Sequence, residues 1–572
     1  MVIFAVNFLS MKKLIECVPN FSEGRDASVI QQITNAIEAV DGVTLLDVDP
    51  GKATNRTVVT FVGEPDAVVE GAYQGIVAAS KLIDMSKHSG EHARMGATDV
   101  CPFIPVANIS LEETAEYAIK LAQRVGADTS IPVYLYGASQ KQAYRNDLSV
   151  IRSGEYEGFF NKIKEDKWKP DFGKAEMNAF SGATVIGARD FLIAYNVNLN
   201  STSTRIANRI AFDVREAGRV KRTGNSYSGP IAKDEKGETI RIPGSCKEVK
   251  AVGWFIEEYG VAQISANLTN YHVTPVHTFF DEVEKSAISR GVRVTGSELV
   301  GLVPLKAMLE AGRHYLVKQG RSIGVSEREI VHIAVKTLGL DELGPFDPDK
   351  KIIEYALKRA EDTRLVDMTC TNFANETASE SMAPGGGSIS AYVGSLGAAL
   401  SSMVANLGAN KRGWEDRVTE FSDWAVKAQT IKDKLLFYVD EDTRSFNGII
   451  DAIRLPKDSD AEKLARKNAI EDASIYATEV PKQVMETAFQ AYACIDAMIT
   501  KGNKSSVTDA GVGALCIDLA IQGAGMNVLV NAKDLANRET GDNFKKGALN
   551  LMVQSNNESA RLRKLVLEVL EA

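Results

Sequence analysis

Apolar positions in the first third of the chain alternate between short strand-like runs and longer runs at helical spacing. Residues 14–18 read as a short strand, and Ile30, Ile33, Ile37 and Val40 then recur every three or four residues along one helix face. Residues 43–48 and 56–62 are rich in Val and Thr and flank a Pro-Gly turn, which predicts a strand pair. Val69, Tyr73, Ile76 and Ile83 mark a long helix, followed by a strand over 100–106, a helix marked by Ala115, Ile119, Ala122 and Val125, and a strand over 133–136. The predicted order is β-α-β-β-α-β-α-β. A similar order returns with a strand over 191–197, a helix carrying Ile206, Ile210 and Val214, and paired strands over 251–256 and 261–268 around Tyr259-Gly260. A helix with Val276, Phe280, Val283 and Ala287, a strand over 292–295 and a helix over 305–317 complete it.

Two β-α-β-β-α-β patterns predict two α/β sheet-and-helix subdomains. Polar breaks over 169–187 and 219–247 read as loops, the second as a surface excursion. After about residue 340 the texture changes. Residues 339–349 contain two prolines, a brief helix is expected over 352–357, and strand signals then vanish. Long amphipathic runs over 435–453, 461–497 and 507–536 predict a bundle of long helices. The expected fold class is multidomain: α/β subdomains over 11–190 and 191–340, a linker over 341–365, and an all-α helical bundle over 366–572.

Composition narrows the class. At 572 residues, 44% hydrophobic and 25% charged, each unit can bury a core. A net charge of −9 argues against broad nucleic-acid binding. Six cysteines lie scattered without a CxxC pair, which favours free thiols in a reducing, cytoplasmic compartment. Residues 1–10 are apolar but lack a basic segment and a cleavage site, and Met11-Lys12-Lys13 reads as the translation start. Residues 383–410 are uncharged, yet six glycines and several serines make them too weakly hydrophobic for a membrane span, so a buried bundle helix is expected.

All six histidines lie within the first 332 residues, so proton transfer in the helical half must use a carboxylate, Lys, Tyr or Cys. The densest polar cluster joins His88, Glu91, His92, Arg94 and Asp99. It reads as a polar loop, as an acid–base site, or as an inverted zinc-hydrolase motif. Gly90 and Gly96 oppose the continuous helix that the zinc motif requires, and no third ligand is evident. Asp47 and Asp49 sit at a strand end, as turn-starting residues or as site carboxylates, with Thr54, Asn55 and Arg56 close by. In the helical half, Gly385, Gly386 and Gly387 open the uncharged helix, as an entry turn or as a place of close ligand approach. Asp440, Glu441 and Asp442 form either a solvated face or part of a half-buried helix, and burial would raise the pKa of Asp442.

Several stretches carry a family resemblance: Leu14-Ile-Glu-Cys-Val-Pro-Asn-Phe-Ser-Glu-Gly24, Leu46-Asp-Val-Asp49, Thr54-Asn-Arg-Thr57, Gly90-Glu-His92, Asp99-Val-Cys-Pro-Phe-Ile-Pro-Val106 and Leu299-Val-Gly-Leu-Val-Pro-Leu305. They resemble the glutamate formiminotransferase family. Ala383-Pro-Gly-Gly-Gly-Ser388 and the Asp440–Asp442 segment resemble formiminotetrahydrofolate cyclodeaminase, and the order resembles the fused family of histidine breakdown. The resemblance implies transfer of a formimino group from formiminoglutamate to N5 of tetrahydrofolate, then ring closure to 5,10-methenyltetrahydrofolate with release of ammonia. It implies His92 as the transferase acid–base group, with Asp49 orienting or charge-balancing it and Arg94 and Asn55 in binding. The matching folate segment is Gly173, Lys174, Ala175, Glu176, Met177, Asn178, Ala179, Phe180, Ser181 and Gly182, with folate between the two sheet subdomains. Asp442 matches the cyclodeaminase acid–base group. Also implied are a polyglutamylated tetrahydrofolate co-substrate, no metal, and a homo-oligomer built from dimers with neither nucleic-acid nor membrane partners. The alternative is a transferase beside a helical oligomerisation domain. Two departures from the family pattern stand out: the long 219–247 excursion and the polar stretch 373–382.

Overall fold

The computed structural model describes residues 13–52, 54–90, 93–224, 229–359 and 364–571. Met11 and His92 therefore lie outside the described residues. The strands are β1 (Leu14–Cys17), β2 (Asn20–Phe21), β3 (Val43–Gly51), β4 (Arg56–Gly63), β5 (Thr98–Ala107), β6 (Val133–Gly137), β7 (Thr184–Ala188), β8 (Ile193–Leu199), β9 (Arg219–Val220), β10 (Arg241–Ile242), β11 (Val249–Ile256), β12 (Val261–Leu268) and β13 (Val294–Val300). The helices begin with α1 (Ala27–Glu38), α2 (Pro65–Leu82), α3 (Leu111–Asp128), α4 (Leu148–Arg152), α5 (Glu155–Lys162), α6 (Thr204–Val214), α7 (Val276–Ile288), α8 (Leu305–Lys318) and α9 (Glu327–Leu338). They continue with α10 (Pro348–Lys351), α11 (Ile353–Arg359), α12 (Cys370–Thr377), α13 (Gly386–Ala409), α14 (Val418–Arg454), α15 (Asp460–Phe489), α16 (Ala491–Lys501), α17 (Val507–Lys533) and α18 (Arg538–Glu571).

The expected fold class holds: mixed α/β structure first, helices afterwards. In the first sheet, β1 and β2 lie end to end between β4 and β5, with β3 outside β4 and β7 and β6 beyond β5. Pairing is antiparallel except for β5–β7 and β6–β7. The second sheet, β11-β12-β8-β13, is antiparallel throughout. Thr184–Ala188, most of it inside the stretch expected to be loop, is instead the fully buried strand β7. Its parallel partners on both sides make the pairing non-local, so the short apolar run gave no clear local signal. The 219–247 excursion carries the small β9–β10 hairpin.

Strand alternation separates two faces of the first sheet. Ile15, Cys17, Phe21, Val59, Phe61, Cys101 and Phe103 are buried in one core with Ile33 and Ile37 of α1 and Val69, Ala72 and Ile76 of α2. Their neighbours Glu16, Asn20, Val58, Thr60, Pro102 and Ile104 line the opposite face. Asp26 starts α1 by accepting from the Ser28 and Val29 amides at 2.9 and 3.3 Å.

The described residues pack into two compact units. The first runs to Ala311 and resumes at Ala334; the second takes Gly312–Ile333 and the chain from Arg364 onward. The expected boundary is thus displaced: Gly324 abuts Ala425, and Asn406 Nδ2 donates to the Gly324 carbonyl at 2.7 Å. Residues 348–359 of the expected linker form α10 and α11, and the Ile352 and Ile353 side chains bury against the α/β unit beside Val303.

In the helical unit α13 packs against α14 and α17. Small residues permit this closeness: a Cβ on Gly397 would lie 2.9 Å from the Gly513 carbonyl, and one on Gly408 would lie 2.9 Å from the Phe421 ring. Residues 386–409 and 504–533 are each long and apolar enough to cross a membrane by length and composition. Much of each is buried inside the bundle, 61% and 44% of the most apolar window.

Phe61→Ala should cost about 3–5 kcal/mol in denaturant unfolding of the α/β unit, because Phe61 is fully buried between the sheet and its helices.

Candidate functional sites

The outward face of the first sheet and one side of the second, at Ala194, Asn267 and Val300, enclose a cavity of about 470 Å³. Its walls carry Glu16, Asp49, Arg56, Tyr136, Arg152 and Arg189. Asp99, fully buried at the start of β5, accepts from Arg56 at 2.5 Å and from Arg152 at 2.6 Å. The Met95 amide donates to its other oxygen at 3.0 Å. Burial alone would raise the Asp99 pKa, but the two guanidiniums hold it below the usual carboxylate range. Two cations against one carboxylate leave a positive charge in excess on this wall.

Asp49 lies in β3 opposite Val58 of β4. Burial raises its pKa and neighbouring Asp47 adds to the effect; Lys351, 3.5 Å from Asp47, offsets part of it. Glu16, only 2% exposed, is pushed up to about 7 by burial, with Arg189 opposing and Glu354 adding. The structure places Asp49 in the cleft wall, and adds Glu16, Arg152 and Arg189 to the candidates. Glu16 had a readable signal, an acid between the inward-facing Ile15 and Cys17 of an apolar strand. Arg152, on the five-residue α4, had none.

Other expected residues sit differently. Arg94 is not a free carboxylate binder: it pairs with Glu155 at 2.9 Å and Glu157 at 2.7 Å, and its Nε donates to His88 Nδ1 at 3.2 Å. Those two glutamates, distant in sequence, already take its charge. That contact makes Nδ1 of His88 an acceptor, so Nε2 carries the proton toward the Asn55 carbonyl at 2.9 Å. Asn55 itself adopts a left-handed backbone (φ 49°) and ties two loops together, accepting from Gly24 N and donating to the Ser89 carbonyl, each at 3.0 Å. Its side chain is therefore spent on loop structure. Residues 173–182 form a loop pinned by Tyr156, which donates to the Ala179 carbonyl at 2.5 Å, and by Asn178, which accepts from the Phe180 and Ser181 amides at 2.9 and 3.0 Å. Gly173, Lys174, Ala175, Glu176, Ala179 and Phe180 are exposed there, while Met177, Ser181 and Gly182 are buried. None of the ten borders the 470 Å³ cavity.

The helical unit holds a second candidate site. Asp442 of α14 accepts from the Ser388 amide at 2.9 Å and from its hydroxyl at 3.1 Å, at the first turn of α13. Burial raises the Asp442 pKa and the Ser388 hydrogen bonds restrain the rise. A Cβ on Gly387 would lie 2.1 Å from Asp442 Oδ1, so this glycine is what admits the carboxylate. The triple glycine and the acidic segment thus meet. Glu441 does not face solvent; it is buried, accepts from Tyr476 at 2.5 Å and pairs with Arg444. Asp440 accepts from the Leu365 amide at 2.7 Å. Among the described residues no group of three or more His, Cys, Asp or Glu could hold a metal ion.

Two separately packed units, each with its own buried carboxylate, have the form of a two-site enzyme. Comparison with known proteins makes the class specific. The "Formiminotransferase domain, N-terminal subdomain" family model matches residues 14–189, "Formiminotransferase domain" matches 194–358, and "Formiminotransferase-cyclodeaminase" matches 369–549. A mouse formimidoyltransferase-cyclodeaminase is 41% identical over 98% of this chain and 99% of its own length. A glutamate formimidoyltransferase of Thermoplasma acidophilum is 42% identical over 55% of this chain and 97% of its own. A methenyltetrahydrofolate cyclohydrolase of Methylorubrum extorquens is 30% identical over 35% of this chain and 95% of its own. The chain belongs to the formimidoyltransferase-cyclodeaminase family.

Gly387→Ala should displace Asp442 and cost about 1–3 kcal/mol of stability, read by denaturant titration. Glu16 binds its proton more tightly folded, at about 7, than unfolded, near its ordinary value of 4.5. Stability should therefore fall as pH rises from about 4.5 to 7, by about 3 kcal/mol, and this part of the slope should vanish in Glu16→Gln.

Proposed function

We propose that the chain moves the formimino group of formiminoglutamate to N5 of tetrahydrofolate in its α/β unit, then closes the ring onto N10 in its helical unit, releasing ammonia. The observation that carries this reading is a match to two-activity relatives over 98% of the chain, with a separate buried carboxylate site in each unit. Single-activity relatives that cover only part of the chain support assigning one step to each unit.

In the first step His92 takes the proton that N5 loses, and Asp49 balances the charge. Carboxylate recognition passes from Arg94, already paired with two glutamates, to the Arg56–Asp99–Arg152 wall with its excess positive charge. In the second step Asp442, kept protonated more readily by burial, delivers a proton to the departing ammonia. The family's folates carry glutamate tails in this reading, and a polyglutamate tail tethers the intermediate near the second site.

The active form is a homo-oligomer. Val512, Leu515, Leu519, Met526 and Val530 of α17 are each about half exposed or more and recur at heptad-like spacing, a seam suited to a second copy. Six free cysteines suit a cytoplasmic setting.

Tetrahydrofolate and formiminoglutamate mixed with pure protein at neutral pH should produce near-ultraviolet absorbance of methenylfolate without acid quench. Asp442→Asn should give that signal only after acid, which closes the ring chemically. A wild-type signal that also needs acid would leave the helical unit as an oligomerisation domain.

A further inference from the structure

Glu16 stands in the wall of the α/β cleft with its Oε2 atom shielded from water and without a hydrogen-bond partner among the described residues. Glu16 as a whole is 2% exposed. A buried acceptor in that state destabilises the folded chain, and a ligand bringing an N–H relieves the cost. The charged groups acting on it are Arg189 and Glu354, and the cleft further holds Asp49, Arg56, Arg152 and Tyr136.

The cleft therefore carries charged groups of both signs. Arg56 and Arg152 exceed Asp99 by one positive charge and suit the carboxylates of an amino-acid donor. Glu16 and Asp49 supply acceptors of the opposite sign. A formimino group is an amidine, protonated near neutral pH, whose terminal nitrogen offers N–H donors and positive charge. A formyl group presents an oxygen at the same place, which is an acceptor only.

Resting on the transferase reading above, we propose that Glu16 is a specificity-determining residue: its free oxygen accepts from the terminal nitrogen of the formimino group and selects a formimino donor over a formyl donor. A bond forms between N5 of the folate and the formimino carbon, and the bond from that carbon to the glutamate nitrogen breaks. The proton lost by N5 ends on the released amine. The terminal nitrogen keeps its protons throughout, so the contact with Glu16 persists from donor to product. With Glu16 ionised, the state that the cationic formimino group favours, a formyl donor sets oxygen against carboxylate, and a site built for a donor discriminates strongly against such an analogue.

The test measures glutamate release with tetrahydrofolate and either N-formiminoglutamate or N-formylglutamate, and compares kcat/KM for the two donors. In Glu16→Gln, whose amide can donate to the formyl oxygen, the preference for the formimino donor should fall by about tenfold or more. Ring closure of added 5-formiminotetrahydrofolate should be unchanged, which reports an intact helical unit. Glu16→Asp, which keeps the charge on a shorter arm, should lose rate but retain the preference, and it decides the matter if Glu16→Gln does not fold. An unchanged preference in Glu16→Gln overturns the proposal, as does an equal loss in Glu16→Asp, which would mark a structural role. Wild type that releases glutamate from neither donor overturns the transferase reading itself, and the role of Glu16 with it.

Discussion

Removing a carboxylate from water is the constraint on which both candidate sites depend. Each buried acid answers it differently. Asp99 stays charged between two guanidiniums. Asp442 is held by the amide and hydroxyl of Ser388. Glu16 has no such partner for one oxygen among the described residues, and burial pushes its pKa up to about 7 instead. Paired carboxylates stabilise architecture, whereas an under-paired one retains free energy that a bound ligand can use. The contrast between Asp99 and Glu16, on adjoining strands of one sheet, separates scaffold from chemistry.

The scaffold works because a single alternation serves two purposes. Successive residues of β1, β4 and β5 point alternately into the helix-covered core and into the cleft. Apolar packing on one side fixes the strands, and the polar residues on the other side inherit that rigidity. The helical unit reaches the same result by close approach. Small residues along α13 bring α14 near enough for Asp442 to meet the helix start, and the absent side chain of Gly387 provides the space. A helix rich in glycine, alanine and serine thereby packs against several others in the unit.

Much of the architecture was legible because it is periodic. Both β-α-β-β-α-β patterns and the long helices follow from spacing alone, and strand limits shifted by only a few residues. The misses share one physical cause, dependence on partners remote in the chain. β7 is a strand through its parallel neighbours β5 and β6. Residues 348–359, read as linker around one brief helix, belong to the α/β unit, where Ile352 meets Val303. Arg94, attractive as a substrate ligand beside two histidines, is consumed by Glu155 and Glu157 some sixty positions away.

By itself the sequence determined the succession of elements, the two kinds of unit and the family, since periodicity and motif are local properties of the chain. It also determined which acids were available, with no histidine after residue 332. Only the tertiary structure decided which of those acids are paired. Asp99 with its two arginines, Asp442 with Ser388 and Glu16 with an unsatisfied oxygen are alike as letters in a sequence. Their difference lies in burial and in the charges that folding brings beside them, and these set whether a carboxylate holds a scaffold together or remains free to hold a proton.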